Sequence, residues 1–193
     1  MIRAGLWTDV PDIDVITHLE RNPRAMGIKE TYQDNIVGLG NEMFAPVNTQ
    51  NTAFHTDLMP LIYAIPMGDT VDGMEISRYD DIWLGYFAEK VMHAVGGTVA
   101  YGTPISTHDR NLHNLHAELE HEAIGVRLNE FLIDTLENVN LKKSNYSSSF
   151  DELIDGLRAE IKFNRQYSFQ SYFNQMVDRM EIWHQACIKL EIV

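Results

Sequence analysis

Two adjacent carboxylates open an apolar segment at Arg78-Tyr79-Asp80-Asp81-Ile82-Trp83. One aspartate at such a junction satisfies the free amides of a helix's first turn, because its side-chain oxygen accepts their hydrogens. The second is then available for other work. Pointed into a cleft, it can take the proton of a sugar hydroxyl or act as a base. Farther on, Tyr101-Gly-Thr-Pro-Ile-Ser-Thr-His108-Asp109 places a histidine after a strand and a turn. It is either an ordinary surface-loop residue or a group reaching a site at a sheet edge. A neutral imidazole there could complete the shell of a divalent ion held mainly by carboxylates, with Asp109 or a backbone carbonyl orienting the ring. A third cluster is His113, His116, Glu120 and His121. His116 and Glu120 share a helix face and His113 lies one turn earlier, a set that could bind zinc. The spacing is not H-E-x-x-H, and a solvated face opposite Leu112, Leu115 and Leu119 is the simpler account.

The elements that must position these groups follow from periodicity and punctuation. Residues 3–8 read as a short strand. Asp9 and Pro11 open a helix that runs to about residue 22, with Asp12 and Asp14 at its positive end and Pro23 helping to stop it. Residues 24–41 are loop-like, 42–54 extended, and a short helix starts near Asp57 and ends by Pro66. Residues 68–78 form a glycine- and aspartate-rich loop. The segment 80–95 is apolar nearly all round, with only Glu89, Lys90 and His93 breaking the surface, which predicts a buried helix ended at Gly96-Gly97. A strand at 98–101 turns at Gly102-Thr103-Pro104. Beyond residue 110 the pattern becomes helical. A long helix spans 111–138 with a stripe of Leu112, Leu115, Leu119, Ala123 and Val126. Ser149 and Glu152 read as a capping box for a helix to about residue 163. Ser168 caps a last helix that buries Phe169, Phe173, Met176, Met180, Trp183 and Cys187.

Composition narrows the classes of function. The 193 residues carry 15 Lys and Arg against 28 Asp and Glu, a net charge of −13. A nucleic-acid binder or an anionic-membrane binder needs clustered cations, so both are excluded as general roles. Hydrophobic residues make up 45%, enough for a core. No apolar run is long enough to span a bilayer, so membrane insertion is not expected. The one cysteine, Cys187, rules out an intramolecular disulfide and fits a reducing compartment such as the cytoplasm. Its apolar surroundings suit burial.

The run 73–108 resembles the plant reversibly glycosylated polypeptides, which are UDP-arabinopyranose mutases, with their microbial relatives, and also the STELLO-type glycosyltransferase-like proteins. The shared pattern is a glycine loop, then R-Y-D-D-x-W-x-G at 78–85, an apolar helix, a strand, and G-x-P-x-x-x-H at 102–108. G-L-W followed by P-D-x-D at 5–14, and N-x-A-F at 51–54 followed by Asp57-Leu58, fit the same order. The resemblance covers about residues 3–110. It implies a GT-A-type nucleotide-sugar fold in which Asp80 and Asp81 stand where a carboxylate serves as base or acceptor anchor. It places His108 where a histidine helps to hold a divalent metal, Mn or Mg. Trp7, Asn51 and Arg78, which stand in matched segments, are the substrate-binding candidates. Asp12 and Asp14 match a segment to which the resemblance gives no role.

Family members carry, before the tryptophan segment, a nucleotide-binding half with the D-x-D motif that grips metal and diphosphate. Asp12-Ile13-Asp14 is not that motif: it matches the later segment and sits in a helix's first turn. Residues 45–50 also lack the family's glycine. The chain is therefore expected to be a fragment, one part of a split enzyme or a degenerate relative. Metal and UDP-sugar binding by the chain alone is expected to be weak or absent. The expected fold is α/β (α+β) and helix-rich. Residues 1–110 form the acceptor-side part of a GT-A-like domain, and residues 111–193 a helical C-terminal extension of three helices. An incomplete sheet would leave strand edges bare, which predicts a homo-oligomer or a partner supplying the nucleotide-binding half. Three functions compete: a UDP-sugar glycosyltransferase or mutase component, a non-catalytic protein-interaction module that kept the fold, and a helical metal-binding protein using the histidine cluster.

Overall fold

The structure is a computed structural model. It describes residues 1–27, 29–30, 35–40, 43–109, 111, 114–142, 144–163 and 167–192, and at 104 and 105 the backbone alone. Its centre is a parallel pair, β1 (Ile2–Asp9) and β6 (Val99–His108). β2 (Val37–Gly38) flanks β6 and β3 (Thr52–Phe54) flanks β1, both antiparallel, giving the order β2-β6-β1-β3. Ile2 and Ala4 face the core while Arg3 points out, the alternation of a half-buried strand. β6 is longer than expected: instead of turning at Gly102-Pro104 it continues to His108. The register slips between Gly5↔Gly102 and Trp7↔Ser106, so 103–105 bulge opposite Leu6. Pro104 lacks the N–H a ladder requires, and a bulge accommodates it without ending the strand.

The first helix, α1 (Val15–Glu20), is shorter than the sequence suggests. Asp14 caps it, accepting hydrogen bonds from the Thr17 amide at 2.9 Å and the Thr17 hydroxyl at 2.8 Å. Residues 10–14 lie outside the helix. Residues 43–51 are not a strand but a loop ending in a 3-10 turn at Thr49–Asn51, and a second 3-10 turn, Thr56–Leu61, replaces the expected helix. The glycine-rich 68–78 loop holds a small hairpin, β4 (Thr70–Val71) with β5 (Met74–Glu75).

α2 (Asp80–Ala94) is buried along most of its length, as its all-round apolarity predicts. Glu89 is the exception to the reading: it does not break the surface but is fully buried. Trp83, also fully buried, donates its indole N–H to Asn129 at 3.2 Å. Tyr79, in the left-handed region at φ 85°, turns the chain into α2. Its ring lies where a Cβ on Gly125 would be, 2.1 Å away, so the α3 glycine admits the tyrosine.

Three helices complete the chain: α3 (Leu115–Asn138), α4 (Tyr146–Ile161) and α5 (Tyr167–Lys189). Residues on both sides of 110 share one core cluster, from Ile2 and Val99 through Trp83 and Phe87 to Leu132, Phe150 and Phe173. On α3 the expected stripe is displaced. Leu112 lies outside the described residues, Leu115 and Leu119 are half-buried, and Ala123 and Val126 are exposed. Ile124, Leu128, Leu132 and Leu136 are buried instead, alongside Glu118. α4 starts earlier than the Ser149 capping box. Asn145 is the cap, bonding the Ser148 amide at 2.9 Å, and Ser149 is buried inside the helix. α5 buries the expected face except Trp183, which is half-buried and donates to the Pro60 carbonyl at 3.0 Å. The spacing did not flag His184. Its fully buried ring bridges Ser147 at 2.9 Å and Asp151 at 2.6 Å, tying α5 to α4.

Candidate functional site

The parallel strands β1 and β6 end together, Asp9 opposite His108. In open sheets of this kind, ligands gather outside the carboxyl ends of parallel strands. His108 packs its ring on Trp7, centroids 5.1 Å apart, and its Nδ1 lies 3.0 Å from the Val10 carbonyl. A carbonyl only accepts, so Nδ1 carries the hydrogen and Nε2 keeps its lone pair for a proton or ligand. The bond also ties the start of the 10–14 segment to the end of β6.

Two residues after Val10, Asp12 reaches the loop before β3, where the Asn48 side-chain amide donates to it. The same loop holds Asp81: the Thr49 backbone amide donates to its carboxylate, and so does the Ile82 amide at 2.9 Å. Burial, then the adjacent Asp80 charge, raise the Asp81 pKa above the usual aspartate value, with Asp12 adding to the effect. Asp80 is exposed. The pair has divided its work. Asp81 is half-buried and held by two amides, and Asp80 faces water as a like charge that strengthens its neighbour's hold on a proton.

Asn51 crosses β1 at a glycine. Its side-chain amide donates to the Leu6 carbonyl at 3.2 Å, and a Cβ on Gly5 would lie 2.4 Å from the Asn51 Nδ2. Gly5→Ala is expected to push Asn51 off Leu6 and destabilise the chain by about 1–2 kcal/mol. Adding Asn51→Ala should restore most of that loss, in a double-mutant cycle by urea unfolding.

Arg78 points elsewhere: its guanidinium pairs with the buried Glu118 of α3 at 3.1 Å. Of the Asp12–Asp14 couple, Asp14 is the α1 cap, its pKa lowered first by the Thr17 amide, and only Asp12 reaches the cluster. His116, Glu120 and His121 are exposed on α3, and His113 lies outside the described residues. Among the described residues no three His, Cys, Asp or Glu side chains converge to hold a metal ion. One imidazole with separated carboxylates falls short of the several oxygens a hard cation takes, so no chemistry is routed through a metal here. Two cavities, of about 420 and 550 Å3, lie elsewhere, against the β4–β5 hairpin and between α2 and the end of α3. Neither is lined by Asp80, Asp81 or His108. His108 and Asp81 are linked through the Val10–Asp12 segment: Val10 meets His108, and Asp12 meets the loop that lies against Asp81.

The family model for "Reversibly glycosylated polypeptide" matches residues 1–191. The chain belongs to the reversibly glycosylated polypeptide family. The match takes in the helical tail, beyond the 3–110 stretch whose motifs carry the resemblance. Among curated relatives, the chain is 29% identical to a probable UDP-arabinopyranose mutase 4 of Arabidopsis thaliana, over 96% of this chain and 48% of the relative. It is 29% identical to UDP-arabinopyranose mutase 2 of Arabidopsis thaliana, over 96% and 49%. For UDP-arabinopyranose mutase 1 of Oryza sativa subsp. japonica the identity is 28%, over 96% and 48%. This member of the reversibly glycosylated polypeptide family spans about half the length of the curated relatives it matches. No helix among the described residues is long and apolar enough to cross a membrane.

Proposed function

We propose that the chain supplies the acceptor-side surface of a UDP-sugar mutase or glycosyltransferase site. The nucleotide-binding half would come from another chain or segment, in the cytoplasm. The observation that carries this is Asp81: a half-buried carboxylate, held by the Thr49 and Ile82 amides, in the R-Y-D-D segment and coupled to Asp12. Asp81 takes the proton of a sugar hydroxyl, or anchors that hydroxyl, and its raised proton affinity suits it to the task. Asp80 sustains that affinity by charge. Trp7 offers an apolar ring beside the His108 imidazole, whose Nε2 accepts a second hydroxyl, and Asn51 fixes the strand beneath them. A divalent ion, Mn or Mg, would need oxygen ligands from the other half to complete the shell at His108.

The test is calorimetry of the chain with manganese and a panel of nucleotide sugars. Binding by the chain alone is expected to be weak. Any measurable binding should disappear in the triple variant Asp80→Ala, Asp81→Ala, His108→Ala. Tight manganese-dependent binding that survives the triple substitution would refute the assignment of these residues.

A second reading, a non-catalytic interaction module, is favoured by the apolar residues α1 and its approach leave in water: Ile13 at 37%, Ile16 at 61% and Leu19 at 39% exposure. Either reading includes an assembly that covers this face, with itself or with the complementing half.

A further inference from the structure

The loop that holds Asp12 and Asp81 is strapped down one residue at a time. At its start, the Ala45 amide donates to Oε2 of Glu89 at 3.0 Å. Next, the Tyr101 hydroxyl on β6 donates to the Pro46 carbonyl at 2.6 Å. Val47 is buried against Gly85 of α2, where a Cβ would sit 3.1 Å from the Val47 Cβ. The Asn48 side chain then reaches Asp12, the Thr49 amide reaches Asp81, and Asn51 reaches Leu6. Ala45, Val47 and Thr49 meet α2, while Pro46, Asn48 and Asn51 reach β6, the segment after β1, and β1 itself. Losing the first anchor frees the start of the strap and loosens the contacts that follow it along the chain.

That first anchor is an unusual choice. Glu89 is fully buried, and its Oε1 makes no hydrogen bond. A buried carboxyl with an unsatisfied oxygen costs stability, and a leucine or methionine would fill the space without that cost. We propose that Glu89 is a positioning residue for the acidic site, holding the 45–49 strap through the Ala45 amide so that Asp12 and Asp81 are presented at the end of the sheet. Its functional meaning rests on the reading of Asp81 as a site residue; its structural content does not.

The ionisable groups around Glu89 are the Tyr86 and Tyr101 phenols, each of which feels its charge. Lys90 and His93 stand on the same helix, and with Glu137 of α3 they line the cavity beside Phe44. Burial, set against the single Ala45 bond, pushes the Glu89 pKa up to about 8. The anchor is therefore a neutral acid at pH 7. Ionisation places a charge in the core beneath the strap, which must move to let water in.

The experiment is NMR on the whole chain, following the Ala45 and Thr49 amides and the Asp81 carboxyl carbon against pH. In the wild-type chain all three should shift together in a transition near pH 8, and Glu89→Gln, which keeps an acceptor for Ala45, should remove it. Glu89→Ala should speed hydrogen exchange at Ala45 and Thr49 by about tenfold or more while core amides of α4 and α5 stay protected. It should also move the Asp81 titration, an effect a merely local packing role would not produce. A transition confined to Ala45, with Thr49 and Asp81 unmoved in wild type and both variants, overturns the proposal. Coupled shifts uphold the positioning role whatever the chain binds, while tight manganese-dependent binding that survives the Asp80, Asp81 and His108 triple substitution refutes the functional reading alone, so the two fail separately.

Discussion

Trp83→Ala is expected to lower folding stability by about 3–5 kcal/mol, a large share of what a domain of this size has. The indole is fully buried where α2 meets the helical tail, with ring centroids of Tyr79 at 5.5 Å and of Tyr172 and Phe173 at 6.1 Å. Alanine would leave a cavity those rings cannot fill and would remove the donor that Asn129 accepts. Trp83→Phe also loses the Asn129 bond but keeps most of the ring contact, and should cost roughly half as much. Urea unfolding followed by circular dichroism separates the two. A loss under about 1 kcal/mol for alanine would mean that α2 is not the element on which the core is built. Because Trp83 lies two residues after Asp81, the alanine variant should also loosen the carboxylate pair.

The second large effect is in pH dependence. Glu89 is pushed from an ordinary value of 4.5 to about 8 in the folded chain. Below the unfolded value the acid is neutral in both states, and its contribution to stability is at its highest. As pH rises toward 8 the unfolded chain releases a proton that the folded chain keeps, so stability falls across that window and levels off above it. Glutamine has no proton to release. The stability of Glu89→Gln relative to wild type should therefore improve by roughly 4 kcal/mol between pH 5 and pH 9. Asp81, also raised, adds a drift of the same sign to both proteins and cancels in the difference. Chemical unfolding at three pH values measures it. A difference that stays constant from pH 5 to 9 would show that Glu89 is ionised throughout.

What the sequence revealed, it revealed through periodicity and punctuation. The buried helix 80–95 and the last helix were legible because their apolar residues repeat at helical spacing; the first ends within a residue of its expected limit, while the last starts at Tyr167, with Ser168 inside it rather than capping it. The two-residue strand β2 lies in a stretch that reads as loop, since so short a strand has no period to detect. The α3 stripe was misplaced because its first turns are only half-covered, so the sequence offers two overlapping apolar faces and only tertiary contact chooses between them. Asp81 could be singled out by type and position, but the strap that holds it could not. Ala45, Pro46 and Val47 bind through backbone groups and packing, which carry no signature in side-chain identity. Glu89 was misread for the same reason, since a glutamate on a helix is normally a surface residue. The one available signal was its place in a helix apolar on every other side.

The parallel β1–β6 pair also sets a timetable. Its partners stand as much as 99 positions apart, Asp9 opposite His108, and no local hairpin can stand in for them. Closing a loop of that length is entropically expensive before any ladder bond rewards it, so the sheet belongs to the slow, non-local class of folding events. A chain growing from its N-terminus holds β1 without its central partner until residues 99–108 have been made. In that interval β3 is the one neighbour in the final sheet that β1 can reach.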